Sequence, residues 1–87
     1  MFVAMEKGFN SDIQVRGKNF HVQTEDWGRE NPFLVSRIYC NGAVLKTFKT
    51  PYEEALKPGP LGGEDAIRVA LRQQHNRILD QLFTGLI

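Results

Sequence analysis

The side chains of this sequence that could act as nucleophile or base are one cysteine, Cys40, and two histidines, His21 and His75. A thiol beside an imidazole could act as a nucleophile, because the imidazole would withdraw its proton. Cys40, however, falls on the predicted core side of a strand, where cysteine packs as a small apolar residue. The spacing of these residues also matches no HExxH or Cys/His zinc pattern. We therefore predict no catalytic residue, no metal ligand and no cofactor, and a protein that is not an enzyme.

Charged residues near His21 offer a second kind of chemistry. Glu25 and Asp26 are neighbours on a strand, so they face opposite sides of the sheet and cannot easily form an acid pair. We expect Asp26 to cap the turn before Gly28 instead. His21, Glu25 and Arg37 on one polar face form an enzymatic hypothesis that ranks last, because a sheet surface offers no obvious cleft.

The glycine-rich segment 58–63 precedes a predicted helix, where anions can bind. It lacks the GxxxxGK[ST] and GxGxxG patterns, and Glu64 and Asp65 would repel a phosphate. Arg68 and Arg72 lie one helical turn apart and would suit an acidic partner, although such residues usually form a solvated face. His75 is expected at the edge of the helix interface, with a hydrogen bond to the sheet or to water. We predict no nucleotide site.

The elements that must position these residues are organised around a hairpin at 33–50, closed by Asn41 and Gly42. An Asn-Gly pair favours a type I′ turn, which needs positive φ at both central residues. That turn fixes the register, and we predict four pairs on one face: Cys40 with Ala43, Ile38 with Leu45, Ser36 with Thr47 and Leu34 with Lys49.

The other face of this hairpin is also partly apolar. Its predicted residues are Phe33, Val35, Arg37, Tyr39, Val44, Lys46 and Phe48. A hairpin that is apolar on both sides needs two covering layers or a partner. Residues 1–10 or the short helix at 51–56 could supply the second layer. We predict that this second face is the interaction surface.

The remaining elements complete an α+β domain. A first hairpin at 11–25 alternates apolar and polar residues around a predicted type II′ turn at Gly17 and Lys18. Thr50 and Pro51 are predicted to start a short helix, as N-cap and first residue. Helical periodicity then predicts a long helix over 64–84. The predicted fold is an antiparallel four-stranded β-meander of two hairpins, with the long C-terminal helix on one face (ββββαα).

The alternation and the helical period together define a core. Its predicted members are Ile13, Val15, Phe20, Val22, Leu34, Ile38, Leu45, Ile67, Leu71, Ile78 and Leu82. This set requires the loop at 26–32 to align the faces of the two hairpins. If it does not, Phe33, Val35 and Phe48 are the buried set. Trp27, in that loop, either folds back onto the core edge or anchors a partner.

Length and composition limit the function classes. The 87 residues suit one domain, predicted over 11–87 after a weakly ordered extension at 1–10. A net charge of +1 argues against a strongly electrostatic nucleic-acid binder. A single cysteine favours a reducing compartment, and no apolar run predicts a signal peptide or a membrane span. We expect a cytoplasmic protein without membrane contact.

The run Phe20 to Gly28, FHVQTEDWG, resembles a segment of small bacterial proteins of uncharacterised function. The similarity extends through Cys40, Asn41 and Gly42 into the final helix, so it covers most of the chain. It implies a compact bacterial domain and carries no activity, ligand or site residue.

Two function hypotheses follow from the second apolar face. The first is a non-catalytic module that self-associates, as a homodimer, or binds another protein. The alternative is a module for single-stranded nucleic acid, in which Tyr39 and Phe48 stack on bases and Arg37 and Lys46 contact phosphates. Near-neutral charge makes the first the stronger hypothesis.

Overall fold

A computed structural model describes residues 8–56 and 63–87 of the chain. Its elements are β1 Gly8–Val15, β2 Lys18–Asp26, β3 Phe33–Cys40, β4 Ala43–Pro51, α1 Tyr52–Ala55 and α2 Gly63–Thr84. The strands form one antiparallel sheet in the order β1-β2-β3-β4, and the predicted ββββαα meander is confirmed. The predicted N-terminal extension falls mainly on residues 1–7, which lie outside the described residues, as does most of the segment 58–63.

The turn of the first hairpin differs from the prediction. Val15 pairs with Lys18, so the two turn residues are Arg16 and Gly17 rather than Gly17 and Lys18. Both have positive φ, 53° and 78°, which defines a type I′ turn. The pairing is two residues away from the predicted register. Because side chains two residues apart lie on the same side of a strand, this shift leaves the predicted inward and outward faces unchanged.

In the second hairpin the turn is as predicted, but the register beyond it is not. Asn41 and Gly42 have φ of 55° and 82°, and Tyr39 pairs with Val44. Ile38 then pairs with Lys46, which leaves Leu45 in a β-bulge without a partner. Every pair from there on is displaced by one residue, which exchanges the two faces of β4.

The bulge corrects two parts of the prediction. Leu45 was expected in the core and is 55% exposed. Phe48 pairs with Ser36 instead of facing away from the helix, and it packs against the main core cluster. Lys46 moves with it to the same side, with its Nζ 5.2 Å from the Phe48 ring.

The core lies between α2 and one side of the sheet, which we call the inner face. One cluster contains Val15, Phe20, Val22, Ile38, Ile78 and Leu82, and a second contains Leu34, Ile67, Ala70 and Leu71. Each of these side chains except Ala70 contributes about 1.5–3 kcal/mol through burial. These residues match the predicted core, except that Ala70 was not among its predicted members, Ile13 is half-buried and Leu45 is exposed.

The C-terminal end of α2 is fixed by two independent sets of bonds. Gly85, with φ of 81°, allows the Leu86 N–H to donate to the Gln81 carbonyl at 2.9 Å, as in a Schellman motif. The Arg16 guanidinium also donates to the Leu82 carbonyl at 2.7 Å. The first hairpin turn therefore caps the helix, since a cation there stabilises both the carbonyls and the helix dipole.

The short helix α1 begins one residue later than predicted. Pro51 is its N-cap and makes no side-chain capping bond, so Thr50 does not cap it. The Tyr52 N–H instead donates to the Pro32 carbonyl at 2.9 Å, which ties α1 to the loop between β2 and β3. Of the helices in the described ranges, none has the length and apolar character that crossing a bilayer requires.

Candidate interaction surface on the outer sheet face

The side of the sheet away from α2, which we call the outer face, has two halves of different character. Strand alternation places on it Asp12, Gln14, Asn19, His21, Gln23, Glu25, Phe33, Val35, Arg37, Tyr39, Val44, Thr47 and Lys49. We call the half around Trp27 and Val35 the closed half. The half around His21 and Tyr39, near the hairpin turns, is the open half.

The closed half is covered by the loop that joins β2 to β3. The Lys49 ammonium lies 5.0 Å from the ring centroids of both Trp27 and Phe33. The Arg37 guanidinium lies 5.7 Å from Trp27 and also bonds Glu25 at 3.3 Å. Val35, beside them on the outer face, is only 1% exposed although α2 is on the other side. Trp27 therefore folds back onto the sheet and provides a local second layer.

Asp26 holds this loop in place. Its Oδ1 accepts the Gly28 N–H at 2.9 Å, as the predicted turn cap requires, and it also accepts the Tyr52 hydroxyl. Burial, and then the hydrogen bond to Asp26, raises the pKa of Tyr52 to about 12. The backbone N–H of Trp27 donates to the Phe33 carbonyl at 3.0 Å and closes the loop. Asp26 and Glu25 thus bind different partners on opposite faces of the sheet.

The open half contains a groove of about 760 Å³. It is lined by four residues that carry an amide, by three other polar residues, and by two apolar residues and a glycine: Gln14, Asn19, Gln23, Asn41, Asp12, His21, Tyr39, Ile13, Phe20 and Gly42. The His21 Nδ1 donates to Asp12 Oδ1 at 2.8 Å, because an ionised carboxylate can only accept. The imidazole also lies beside Tyr39, with 5.8 Å between the ring centroids. The groove therefore offers amides, a phenol and an oriented imidazole, all of which can donate or accept hydrogen bonds.

Charge separates the two halves further. Among the residues that line the groove, Asp12 alone has a permanent charge, and His21 is bonded to it. The cations Arg37 and Lys49 lie on aromatic rings of the closed half. The open half therefore suits a polar partner of low charge better than a polyanion.

The structure divides the predicted interaction residues among three places. Tyr39 and Val44 lie in the open half, and Val44 is 53% exposed. Phe33, Val35 and Arg37 belong to the closed half, while Lys46 and Phe48 lie on the inner face. The groove residues of β1 and β2 were predicted to share a polar face, but they were not assigned to the interaction surface.

The enzymatic hypothesis grouped His21 with Glu25 and Arg37, but these residues belong to two separate ion pairs. His21 pairs with Asp12, and Glu25 pairs with Arg37. Within the described ranges, no three His, Cys, Asp or Glu side chains gather as metal ligands would. Cys40 is a free, half-buried thiol that packs against the main core cluster.

A second polar cluster lies on the inner face, beneath α2. His75 bonds Ser11 Oγ through Nε2 and Thr24 Oγ1 through Nδ1, both at 2.8 Å. Thr24 is also 2.7 Å from Ser36 Oγ, to which the Gln74 Nε2 donates at 2.9 Å. We call these five residues the inner polar cluster. His75 was predicted at the edge of the helix interface, with a hydrogen bond to the sheet or to water, but it is buried within that interface. Its bonds go to the sheet, to hydroxyl groups that were not foreseen.

Comparisons with protein-family models, with curated protein sequences and with solved structures found no match to this chain.

Proposed function

We propose that this protein is a non-catalytic protein-interaction module and that its partner, another protein or a second copy of the chain, contacts the open half of the outer face. The observation that carries the proposal is the groove of about 760 Å³ beside Tyr39 and His21. Protein-binding surfaces commonly combine an aromatic anchor with adaptable hydrogen-bonding groups and few charges. Tyr39 with the four surrounding amides is such a combination.

Exposed apolar side chains next to the groove support the same proposal. Val44 pairs with Tyr39 and is exposed, and Leu45 follows it in the bulge. β4 is also an edge strand of the described sheet. A partner that covered Tyr39 and Val44 would bury apolar area while the neighbouring amides kept hydrogen-bonding partners, which is how a stable interface combines affinity with specificity.

Binding of single-stranded nucleic acid is the weaker candidate. It required Arg37, Lys46, Tyr39 and Phe48 on one surface, but Lys46 and Phe48 lie on the inner face. Arg37 is paired with Glu25 and is stacked on Trp27. Stacking platforms for single strands need free cations beside the aromatic rings, and the open half has none among its groove-lining residues.

We also propose that the protein works in a bacterial cytoplasm. The single cysteine, Cys40, is free and half-buried, as is usual for a protein kept in a reducing compartment. The resemblance of the FHVQTEDWG segment to small bacterial proteins supports the bacterial part of the proposal.

A site-specific photo-crosslinking amino acid tests the proposed surface. It would replace Gln23, which lines the groove, or Gln73, an exposed residue of α2 that serves as the matched control. In cells that naturally contain the protein, we expect protein adducts from position 23 well above those from position 73. A dimer-sized adduct of the chain with itself would identify self-association. Equal labelling from both positions, or adducts with nucleic acid, would contradict the proposal.

A further inference from the structure

The inner polar cluster has a defined direction of hydrogen bonding. Gln74 Nε2 donates to Ser36 Oγ, so Ser36 must donate its own proton to Thr24, the only other partner found for it among the described residues. Thr24 then donates to His75 Nδ1, which leaves the Nε2–H to donate to Ser11. With the neutral imidazole protonated on Nε2, each of the four hydrogen bonds of the cluster has one donor and one acceptor. In this state His75 cannot accept the Ser11 proton, so the serine is not an activated nucleophile.

A second proton on the imidazole would break this arrangement. Nδ1 would become a donor, and Thr24 would have to accept from it and turn its own proton toward Ser36. Ser36 Oγ would then accept from both Thr24 and Gln74, and its buried proton would lack an acceptor. An unsatisfied buried polar group is costly, and an unpaired buried charge costs more.

The surroundings offer no compensation for a charge on His75, which is 4% exposed. The titratable and charged groups that the strands carry on the inner face are Lys18, Asp26, Cys40 and Lys46. The helices add Tyr52, which bonds Asp26, and Arg72, one turn before His75, and His21 lies behind the sheet. The Asp26 carboxylate already accepts from Tyr52 and Gly28. Arg72 lies over Phe9, 5.4 Å from the ring centroid, and that ring is 5.8 Å from the His75 ring. The charge that the Phe9 ring links to His75 is therefore the positive charge of Arg72, which would not stabilise a second positive charge on the imidazole.

We infer that the inner polar cluster is an acid-sensitive latch, which holds α2 on the sheet while the His75 imidazole is neutral and releases the helix when the imidazole takes up a proton. The latch joins α2 to three strands, through Ser11 of β1, Thr24 of β2 and Ser36 of β3. Its release would loosen the centre of the helix interface, between the two apolar clusters.

The direction of the pH dependence follows from the environment of His75. Burial, and then the nearby His21, lowers the pKa of His75 from its ordinary value of 6.5. The released state therefore binds more protons than the closed state as the pH falls below 6.5, and closure is favoured less. The stabilisation is complete above this pH and is lost as the pH falls from there toward the lowered pKa.

Hydrogen exchange of the intact protein, measured from neutral pH downward and corrected for intrinsic rates, tests the latch. We expect the amides of α2 at 71–78 to open more often by up to about tenfold per pH unit below 6.5. The ladder amides of β2 and β3 should respond later, because the strands also bond one another. Equal acceleration in helix and ladder would indicate ordinary global unfolding and overturn the latch, as would exchange that does not change with pH.

Two variants locate the effect. His75→Gln keeps a donor and an acceptor but takes up no proton, so the acid response of α2 should be lost, whereas His21→Asn should retain it. If the first variant does not fold, Ser11→Ala removes one bond of the latch without changing the imidazole. Faster α2 exchange at neutral pH, with the acid response still present, is then expected. Unchanged α2 exchange in Ser11→Ala, or an acid response that disappears only in His21→Asn, would contradict the inference.

Discussion

The two histidines of this protein lie on opposite sides of the same sheet and have opposite surroundings. His75 reaches the sheet from α2 and is enclosed by hydroxyl groups, whereas His21 is on β2 and is bonded to the exposed carboxylate of Asp12. Gln74 donates to Ser36 and so sets the direction of the hydroxyl chain, which fixes one tautomer of the neutral His75 imidazole. An exposed carboxylate orients the ring and leaves Nε2 directed away from the bond. His75 is therefore held within the helix interface, whereas His21 lies partly exposed on the outer face.

The contrast between the two histidines predicts the largest loss of stability when the Thr24 hydroxyl is removed. Thr24→Val keeps the shape but leaves His75 Nδ1 and the Ser36 proton unpaired, which should reduce the free energy of unfolding by about 1–3 kcal/mol for each group. Thr47→Val, on the exposed part of β4, should change it by less than about 0.5 kcal/mol. Urea unfolding at neutral pH measures both. Equal effects would mean that the inner polar cluster does not stabilise the fold.

A smaller effect distinguishes the closed half of the outer face from the open half. Val35→Ala removes buried methyl groups and should cost about 2 kcal/mol, because Trp27 and its neighbours cannot fully fill the space. Val44→Ala, on the same face but exposed, should cost less than about 0.5 kcal/mol. If the two substitutions destabilise the protein to the same extent, both halves are equally covered and the open half is not free to bind.

The smallest effect concerns the hydrogen bond that holds the loop over the closed half. Tyr52→Phe should lower stability by about 1 kcal/mol. Because the pKa of Tyr52 is raised to about 12, the folded state keeps a proton that the unfolded state loses above pH 10. The tyrosine's contribution is therefore complete below pH 10 and is lost as the pH rises toward 12.

Alkaline unfolding of the wild type and the Tyr52→Phe variant measures this contribution. The variant should lose part of the alkaline decline in stability. Tyr39→Phe, which removes the other tyrosine hydroxyl, is the control and should retain the decline. A decline that is the same in all three proteins would show that Asp26 does not hold the Tyr52 hydroxyl in the folded state.

The sequence predicts the order of elements and the faces of the first hairpin because both depend on local patterns. The Asn41-Gly42 turn and the alternation in β1 and β2 each need only a few neighbouring residues. The bulge at Leu45 carries no glycine or other local signal, yet it exchanges the faces of Phe48 and Lys46. The predicted face of the sheet was therefore correct for Tyr39 and Val44, next to the turn, and wrong for Lys46 and Phe48, beyond the bulge. That any of these residues binds a partner stays a prediction.

The position of Trp27 and the inner polar cluster could not be predicted from the sequence, because both depend on contacts between residues that are distant in the chain. The position of Trp27 depends on Arg37 and Lys49, which are distant in the chain and become its neighbours only when the sheet forms. The inner polar cluster likewise draws its members from β1, β2, β3 and α2. Thr24 and Ser36 share a side with apolar residues of their strands, but nothing in those strands alone indicates that a histidine will bond them.

The most direct test of the contrast between the two faces is a nitrogen-15 spectrum of both imidazoles in the intact protein above neutral pH. His75 is expected with its proton on Nε2, and His21 with its proton on Nδ1, directed to Asp12. As the pH falls, His75 should be half-protonated only at a pH below its ordinary pKa of 6.5, because burial lowers the pKa. The same tautomer at both histidines, or a His75 that already carries two protons near neutral pH, would contradict the account.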